Sequence, residues 1–274
     1  MPEGDSVHRL ARRLDAALTG HRLATADLRV PRHATADLRG ARVTGTVARG
    51  KHLLTRLEVP GHGRLTLHTH LRMSGSWTVL RPGSRPPRRL EHAVRALLTA
   101  EGGRTAMGLD LPVVELLRTD DEAQAVGHLG PDLLDPSWGP DHEAVALARL
   151  AAQPDRPLVE ALLDQRLVAG LGNLWAVEAC FLRGRSPWTR LGEEDLPALV
   201  GLGRRLLAHG LAHPGMVTTG DARPGRTHWV YGRAGRPCRR CGTPVRFAPD
   251  VPLAPYARET WWCPRCQPGP ERGG

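Results

Sequence analysis

Val7, Leu10, Ala11, Leu14 and Leu18 recur at i, i+3, i+4, i+7 spacing and predict an amphipathic helix over residues 3–18, with Gly20 as its stop. From about 21 to 127 the texture changes. Short apolar stretches (ARVTGTV, HLLTRLEV, RLTLHTHL, SGSWTVL, AVRALLTA) are broken by Gly and Pro, which predicts strands. Alternation within RLTLHTHL places His68 and His70 on one face of its strand. RPGSRPPRRLEH (81–92) reads as a loop, and ATADLR occurs twice, at 24–29 and 34–39; two copies do not make a repeat architecture. GPDLLDPSWGPD (130–141) is rich in turn residues and reads as a domain boundary. Amphipathic helical stretches follow over 141–212, then a Pro- and Gly-rich basic linker (213–237) and a cysteine-bearing tail.

Four of the five cysteines form two C-x₂-C pairs, Cys238/Cys241 and Cys263/Cys266, with 21 residues between the pairs. Two such knuckles supply the four thiolates of a closed, tetrahedral, structural Zn²⁺ site with no open position for catalysis. Cys180 lies in an apolar helix and reads as a small buried hydrophobe. The expected fold is α+β: an N-terminal helix with a β-sandwich (1–130), a helical domain (141–215) and a Cys₄ zinc ribbon (236–270).

No apolar run approaches the ~18 residues of a membrane span, and MPEGDSVHRL, with acids at positions 3 and 5, is no signal peptide. A cytoplasmic protein without membrane contact is expected. The net charge of +10 favours a polyanionic partner, since cationic side chains on phosphates release counterions. A merely soluble basic surface gives the same sum, but the distribution is uneven: nine Arg against Asp250 and Glu259 lie between Arg223 and Cys266. Lys51 is the single lysine of the chain. It either survives by chance or does what Arg cannot, which is to exchange a proton.

LLDQRLVAGLGNLWAVEACFLRG (162–184) predicts two helices around a turn. Gly170 and Gly172 permit close backbone approach, and Asn173 stands at the entry of the second helix, where amides favour an anion. Local physics alone prefers an ordinary capped hairpin there. His68 and His70 form an H-x-H pair, which elsewhere holds metals; with no nearby carboxylate to complete a ligand set, structural roles or roles facing the polyanionic partner are favoured.

Four separated motifs occur in one order: MPEGD at the start, ARGKHLLT (48–55) followed by LHTHLRMSGSW (67–77), LDQRLVAGLGNLWAVE (163–178), and CRRCGTPVR…RETWWCPRCQ (238–267). In this the chain resembles the formamidopyrimidine-DNA glycosylase/endonuclease VIII family, and PEG after Met1 is similar to the endonuclease VIII branch from GC-rich bacteria. The resemblance implies a bifunctional DNA glycosylase/abasic-site lyase with a helix–two-turn–helix domain, acting as a monomer on damaged DNA with one structural Zn²⁺. It implies Pro2 as nucleophile once Met1 is removed, Glu3 as acid and proton shuttle, Lys51 in proton transfer during elimination, and Arg258 at the lesion-side phosphate. Asn173 matches the phosphate-binding turn residue, and His128 stands where endonuclease VIII has a DNA-contacting arginine. Arg72 and Met73 match residues inserted into the gap left by the flipped nucleotide. Two departures, Ser6 for a glutamate and AEGGRTAMGL where the formamidopyrimidine branch carries an RRFG-type loop, point from 8-oxoguanine toward oxidised pyrimidines. Pro2-Glu3 alone is also an ordinary helix start. The competing function is a non-catalytic damaged-DNA-binding protein on the same scaffold; intact Pro2, Glu3 and Lys51 favour the enzyme.

Overall fold

The first helix, α1, runs Gly4–Leu18 and buries Val7, Ala11, Leu14, Ala17 and Leu18, the face set by the apolar spacing, while Leu10 is half-buried at its edge. Glu3 is its N-cap residue. Ser6 Oγ accepts the Glu3 amide at 2.9 Å and donates to the Glu3 carbonyl at 2.8 Å, so Ser6 takes the reciprocal position of a capping box. Gly20, at φ +85°, turns the chain away two residues beyond the helix. This computed structural model describes residues 2–213, 215–251 and 258–271, and the chain divides into two units, Met1–His128 and Leu129–Gly274.

Eight strands complete the first unit: β1 (Leu23–Leu28), β2 (Arg42–Arg49), β3 (His52–Val59), β4 (Gly63–His70), β5 (Ser76–Leu80), β6 (Val94–Ala100), β7 (Thr105–Leu109) and β8 (Val113–Arg118). They form two antiparallel sheets ordered β1-β6-β7-β5 and β2-β3-β4-β8. Leu53, Leu57 and Leu67 of the second sheet share one apolar core with Leu28, Ala96, Leu98 and Ala106 of the first and with Val7, Leu14 and Leu18 of α1. Because side chains alternate along a strand, the opposite face of β3 and β4 carries His52, Arg56, Thr66, His68 and His70. A short helix, α2 (Glu122–Val126), contributes Glu122 to that face; Arg56 donates to both its carboxylate oxygens at 2.8 Å and Thr66 to one at 2.7 Å. Residues 81–93 form the connection between β5 and β6, the loop expected over 81–92, and it includes a 3₁₀ turn over Arg88–Ala93. The two ATADLR copies diverge: most of the first lies in β1, and the second follows the 3₁₀ turn Pro31–His33 without becoming a strand.

The second unit holds α3 (Pro140–Ala151), α4 (Leu158–Leu163), α5 (Asn173–Arg183) and α6 (Leu196–Ala212), followed by an antiparallel hairpin of β9 (Arg246–Val251) and β10 (Arg258–Trp262). Leu150, Leu158, Leu162, Trp175, Phe181 and Leu207 build its core, joined by Val230, Val245 and Trp261 from the tail. Cys180 is fully buried there, and burial pushes its thiol up. Asp195 caps α6 by accepting the Ala198 amide at 3.1 Å. The 213–237 stretch is more than the linker its composition predicts. Buried Glu178 of α5 accepts the amides of Trp229, Val230 and Tyr231 at 2.9, 2.8 and 2.8 Å and the Thr218 hydroxyl, and this pins the loop to the helix.

Candidate functional site

In the first unit the chemistry gathers at one helix start and two strand ends. Pro2 is half-buried ahead of α1, and Glu3, 1% exposed, follows it. A carboxylate is thus fixed one residue from a pyrrolidine nitrogen by the capping interactions of the helix. Met1, whose removal exposes that amine, lies outside the described residues. β2 and β3 close at the Arg49–His52 pair, leaving a two-residue loop of Gly50 and Lys51. Gly50 has φ +57°, the left-handed conformation such a loop needs at its first position, and this presents Lys51 at the hairpin tip. Arg72 and Met73 share the turn between β4 and β5. Gly75 donates its amide to the Leu71 carbonyl at 2.8 Å, Arg72 has φ +44°, and Met73 is 63% exposed at the apex.

Beside Lys51 stands a group of imidazoles. The β3–β4 register sets His52 opposite His70, and the β4–β8 register sets His68 opposite Glu115. His52 Nδ1 lies 2.8 Å from His68 Nε2, and His68 Nδ1 lies 2.9 Å from a Glu115 carboxylate oxygen. The His52 and His70 rings meet edge-on at 4.6 Å between centroids, and exposed His128 stands edge-on to His52 at 6.0 Å. Burial, then the neighbouring rings of His70, His68 and His128 and the Lys51 charge, lower His52 to about 3. Burial, then Lys51, His68 and Arg72, lower His70 to about 4. Both rings are therefore neutral at pH 7. The sequence reading of His68 and His70 found no carboxylate; Glu115 comes from a strand 45 residues downstream of His70. His52 and Glu115 were missed altogether. For His52 the one sequence signal is the hairpin count that pairs GKHLL with LHTHL; for Glu115 there is none.

In the second unit Asn173 is the first residue of α5, with Gly172 in the cap position, so it is not itself the cap. Its buried side chain donates from Nδ2 to the Glu259 carbonyl at 2.8 Å, while its Oδ1 has no hydrogen-bond partner among the described residues. The glycine turn, with Gly170 at φ +112°, is thus tied to β10 next to half-buried Arg258, which brings together two candidate phosphate residues 85 positions apart. The four cysteines of the tail converge, their sulfurs all within 4.8 Å of one another, with Cys238–Cys266 at 3.9 Å and Cys241–Cys263 at 3.4 Å. Hydrogen bonds from Thr243 draw the Cys241 thiol down to about 6. Bonds of ~2.3 Å to a tetrahedral metal place sulfurs ~3.8 Å apart, so the cluster fits one Zn²⁺. Arg240 lies over the rings of Phe181 and Trp229, at 4.6 and 5.6 Å, on the basic side of the same tail.

The model of the formamidopyrimidine-DNA glycosylase N-terminal domain matches residues 1–110. The chain is 51% identical to a probable endonuclease 8 2 of Streptomyces coelicolor, over 98% of this chain and 95% of the relative. It is 44% identical to the DNA-(apurinic or apyrimidinic site) lyase Nei2 of Mycolicibacterium smegmatis, over 97% of this chain and 99% of that one. Its fold is similar to that of the Lactococcus lactis Fpg solved in complex with DNA containing an abasic site, with a TM-score of 0.75 and 22% identity over 98% of this chain and 100% of that one.

Proposed function

The chain belongs to the formamidopyrimidine-DNA glycosylase/endonuclease VIII family, and from that premise we propose how its own residues carry the reaction. It is a DNA glycosylase with abasic-site lyase activity in base excision repair. The carrying observation is the placement of buried Glu3 directly after Pro2. The base lies inside the duplex and must be extruded, and Met73 with Arg72, on their exposed turn, fill the gap it leaves. The Pro2 amine, neutral in part at pH 7 because an α-amino group titrates near ~7.7, attacks the sugar C1′. Glu3 supplies a proton for ring opening and base departure. The resulting iminium acidifies the C2′ proton; its removal, assisted by Lys51, expels the 3′ phosphate, and a second elimination expels the 5′ phosphate.

Around this centre we assign residues 1–130 to catalysis, 141–215 to DNA binding and 236–270 to a ribbon. Cys238, Cys241, Cys263 and Cys266 hold one Zn²⁺, which contributes on the order of 10 kcal/mol to folding of the tail and leaves no position for chemistry. Asn173, Arg258 and exposed His128 contact the DNA backbone. Oxidised pyrimidines are the preferred lesions: residues 101–104 and 110–112 are all that join β6 to β7 and β7 to β8, too little for a loop that reaches the opposite base. The partner is damaged DNA, met by a monomer in the cytoplasm at the nucleoid; no helix among the described residues is long and apolar enough to cross a membrane.

Borohydride reduction in the presence of abasic-site DNA should trap a covalent adduct on the N-terminal peptide, with Met1 absent. Extra residues ahead of Pro2 should abolish trapping and spare DNA binding, because they turn the amine into an amide. An adduct on Lys51 would displace Pro2 as nucleophile, and no adduct with any lesion would favour the non-catalytic binder.

A further inference from the structure

Three polar side chains cross three adjacent strands on the sheet face opposite the apolar core. Glu115 of β8, His68 of β4 and His52 of β3 are joined by hydrogen bonds of 2.9 and 2.8 Å. Each bond has a direction. A carboxylate only accepts, so His68 donates from Nδ1; the relay needs that to be the one proton on the His68 ring, so that Nε2 accepts and His52 donates from Nδ1. The His52 Nε2 is left as a lone pair. His70 is fixed in the complementary sense, since its Nδ1 accepts the Arg72 amide at 3.0 Å and its hydrogen is therefore on Nε2.

The two ends of the file differ in their surroundings. The Glu115 side chain is 44% exposed, whereas that of His68 is 5% exposed. His52, at the inner end, follows Lys51 in the chain and is faced by His70, His128 and the Lys51 charge. Burying His68, and half-burying His52 and His70, without a function is costly, since leucines would fill the same space with no polar atoms to satisfy.

We propose that Glu115, His68 and His52 form a proton relay that exchanges the Lys51 proton with solvent while bound DNA screens the lysine itself. The relay rests on the role of Lys51 in elimination given above. The Lys51 ammonium gives its proton to His52 Nε2. At the same time the His52 Nδ1 proton moves to His68 Nε2, and the His68 Nδ1 proton moves to Glu115. One proton has left the lysine, one carboxyl group has formed at the exposed edge, and water removes that proton. No ring holds two protons at any stage, which suits His52, where burial disfavours the charged ring. The neutral lysine then takes the C2′ proton, and the electrons of that C–H bond form a C1′–C2′ double bond as the iminium C=N pair moves onto nitrogen; when that pair returns, the C1′–C2′ electrons shift to C2′–C3′, the C3′–O bond breaks, and the 3′ phosphate leaves with its electrons.

Single-turnover strand cleavage at a pre-formed abasic site, followed against pH beside borohydride trapping and DNA affinity, tests the relay. His68→Leu should slow cleavage by roughly tenfold or more, the low end of proton-transfer catalysis, and leave trapping and affinity at the level of the unmodified protein. Glu115→Gln, a surface change that preserves shape, should slow cleavage in the same sense and flatten its pH profile. His52→Ala should be slow and partly rescued by added imidazole. Cleavage by Glu115→Gln that matches the unmodified protein at every pH, together with no imidazole rescue of His52→Ala, would overturn the relay and leave a structural role. Absence of trapping in the unmodified protein would overturn the enzyme reading, and the relay with it.

Discussion

Arg72 holds φ +44°, a left-handed conformation that costs a residue with a Cβ about 1–2 kcal/mol. The tight turn around it allows no side chain at Gly75, where a Cβ would stand 2.7 Å from the Leu71 carbonyl oxygen. Gly75→Ala should therefore lower unfolding free energy by about 1–3 kcal/mol in denaturant titration and disturb excision through the displaced Arg72 and Met73. Met73→Ala, at an exposed apex, should leave the melting temperature unchanged. It should slow base excision from duplex more than cleavage of a single-stranded abasic site, where there is no stack to wedge; equal losses on both substrates would argue against a wedge. The imidazoles give a pH signature. His52 and His70 are held near 3 and 4 by burial first, against 6.5 unfolded. The unfolded chain thus binds more protons below 6.5, and their contribution to stability, complete above that pH, is lost as pH falls through about 4 and on to about 3. Calorimetry should show this decline, and His52→Leu with His70→Leu should shrink it. In the sequence Lys51 stood out as the single lysine of an Arg-rich chain, and His68 and His70 as an H-x-H pair. Glu115 did not, because it meets His68 only through strand register, which no local pattern in ELLR encodes.

Elements were legible where their period was strong. α1 follows its apolar spacing, and the helices of 141–212 fall where the amphipathic stretches predict. The identical ATADLR segments mark the limit: the first pairs with β6 and becomes a strand, the second has no partner strand among the described residues, and six residues of local propensity decide neither. The 213–237 stretch shows the same limit, since its order comes from backbone amides on Glu178, which composition does not report. Glu178→Ala should cost about 3 kcal/mol or more, because several buried donors lose a charged acceptor together. Limited proteolysis should then cut within 218–228, and resistance equal to that of the unmodified protein would show that other contacts hold the loop.

At the scale of the whole molecule, charge and hydrogen bonding separate in their salt dependence. Arg258→Ala should weaken binding to any DNA sequence and reduce the slope of log K against log salt by about one. Asn173→Ala removes no charge; it should weaken binding with the slope intact, measured by fluorescence anisotropy across a salt series. A steeper or lesion-selective change would assign these residues to base recognition.

The hydrogen bond from Asn173 Nδ2 to the Glu259 carbonyl ties the helix turn to a strand that lies between the two cysteine pairs. Oxidation of the thiolates is therefore an event at the glycine turn, the proposed phosphate contact, as well as in the tail. Peroxide at doses that form sulfenic acid or disulfide in the cluster should release zinc to a chromophoric chelator and lower DNA affinity in step, before the N-terminal amine is consumed. Reductant with added Zn²⁺ should restore both. With oxidised bases as the proposed substrates, the protein would then lose its hold on DNA under the strongest oxidant stress, and regain it as thiol reducing power returns.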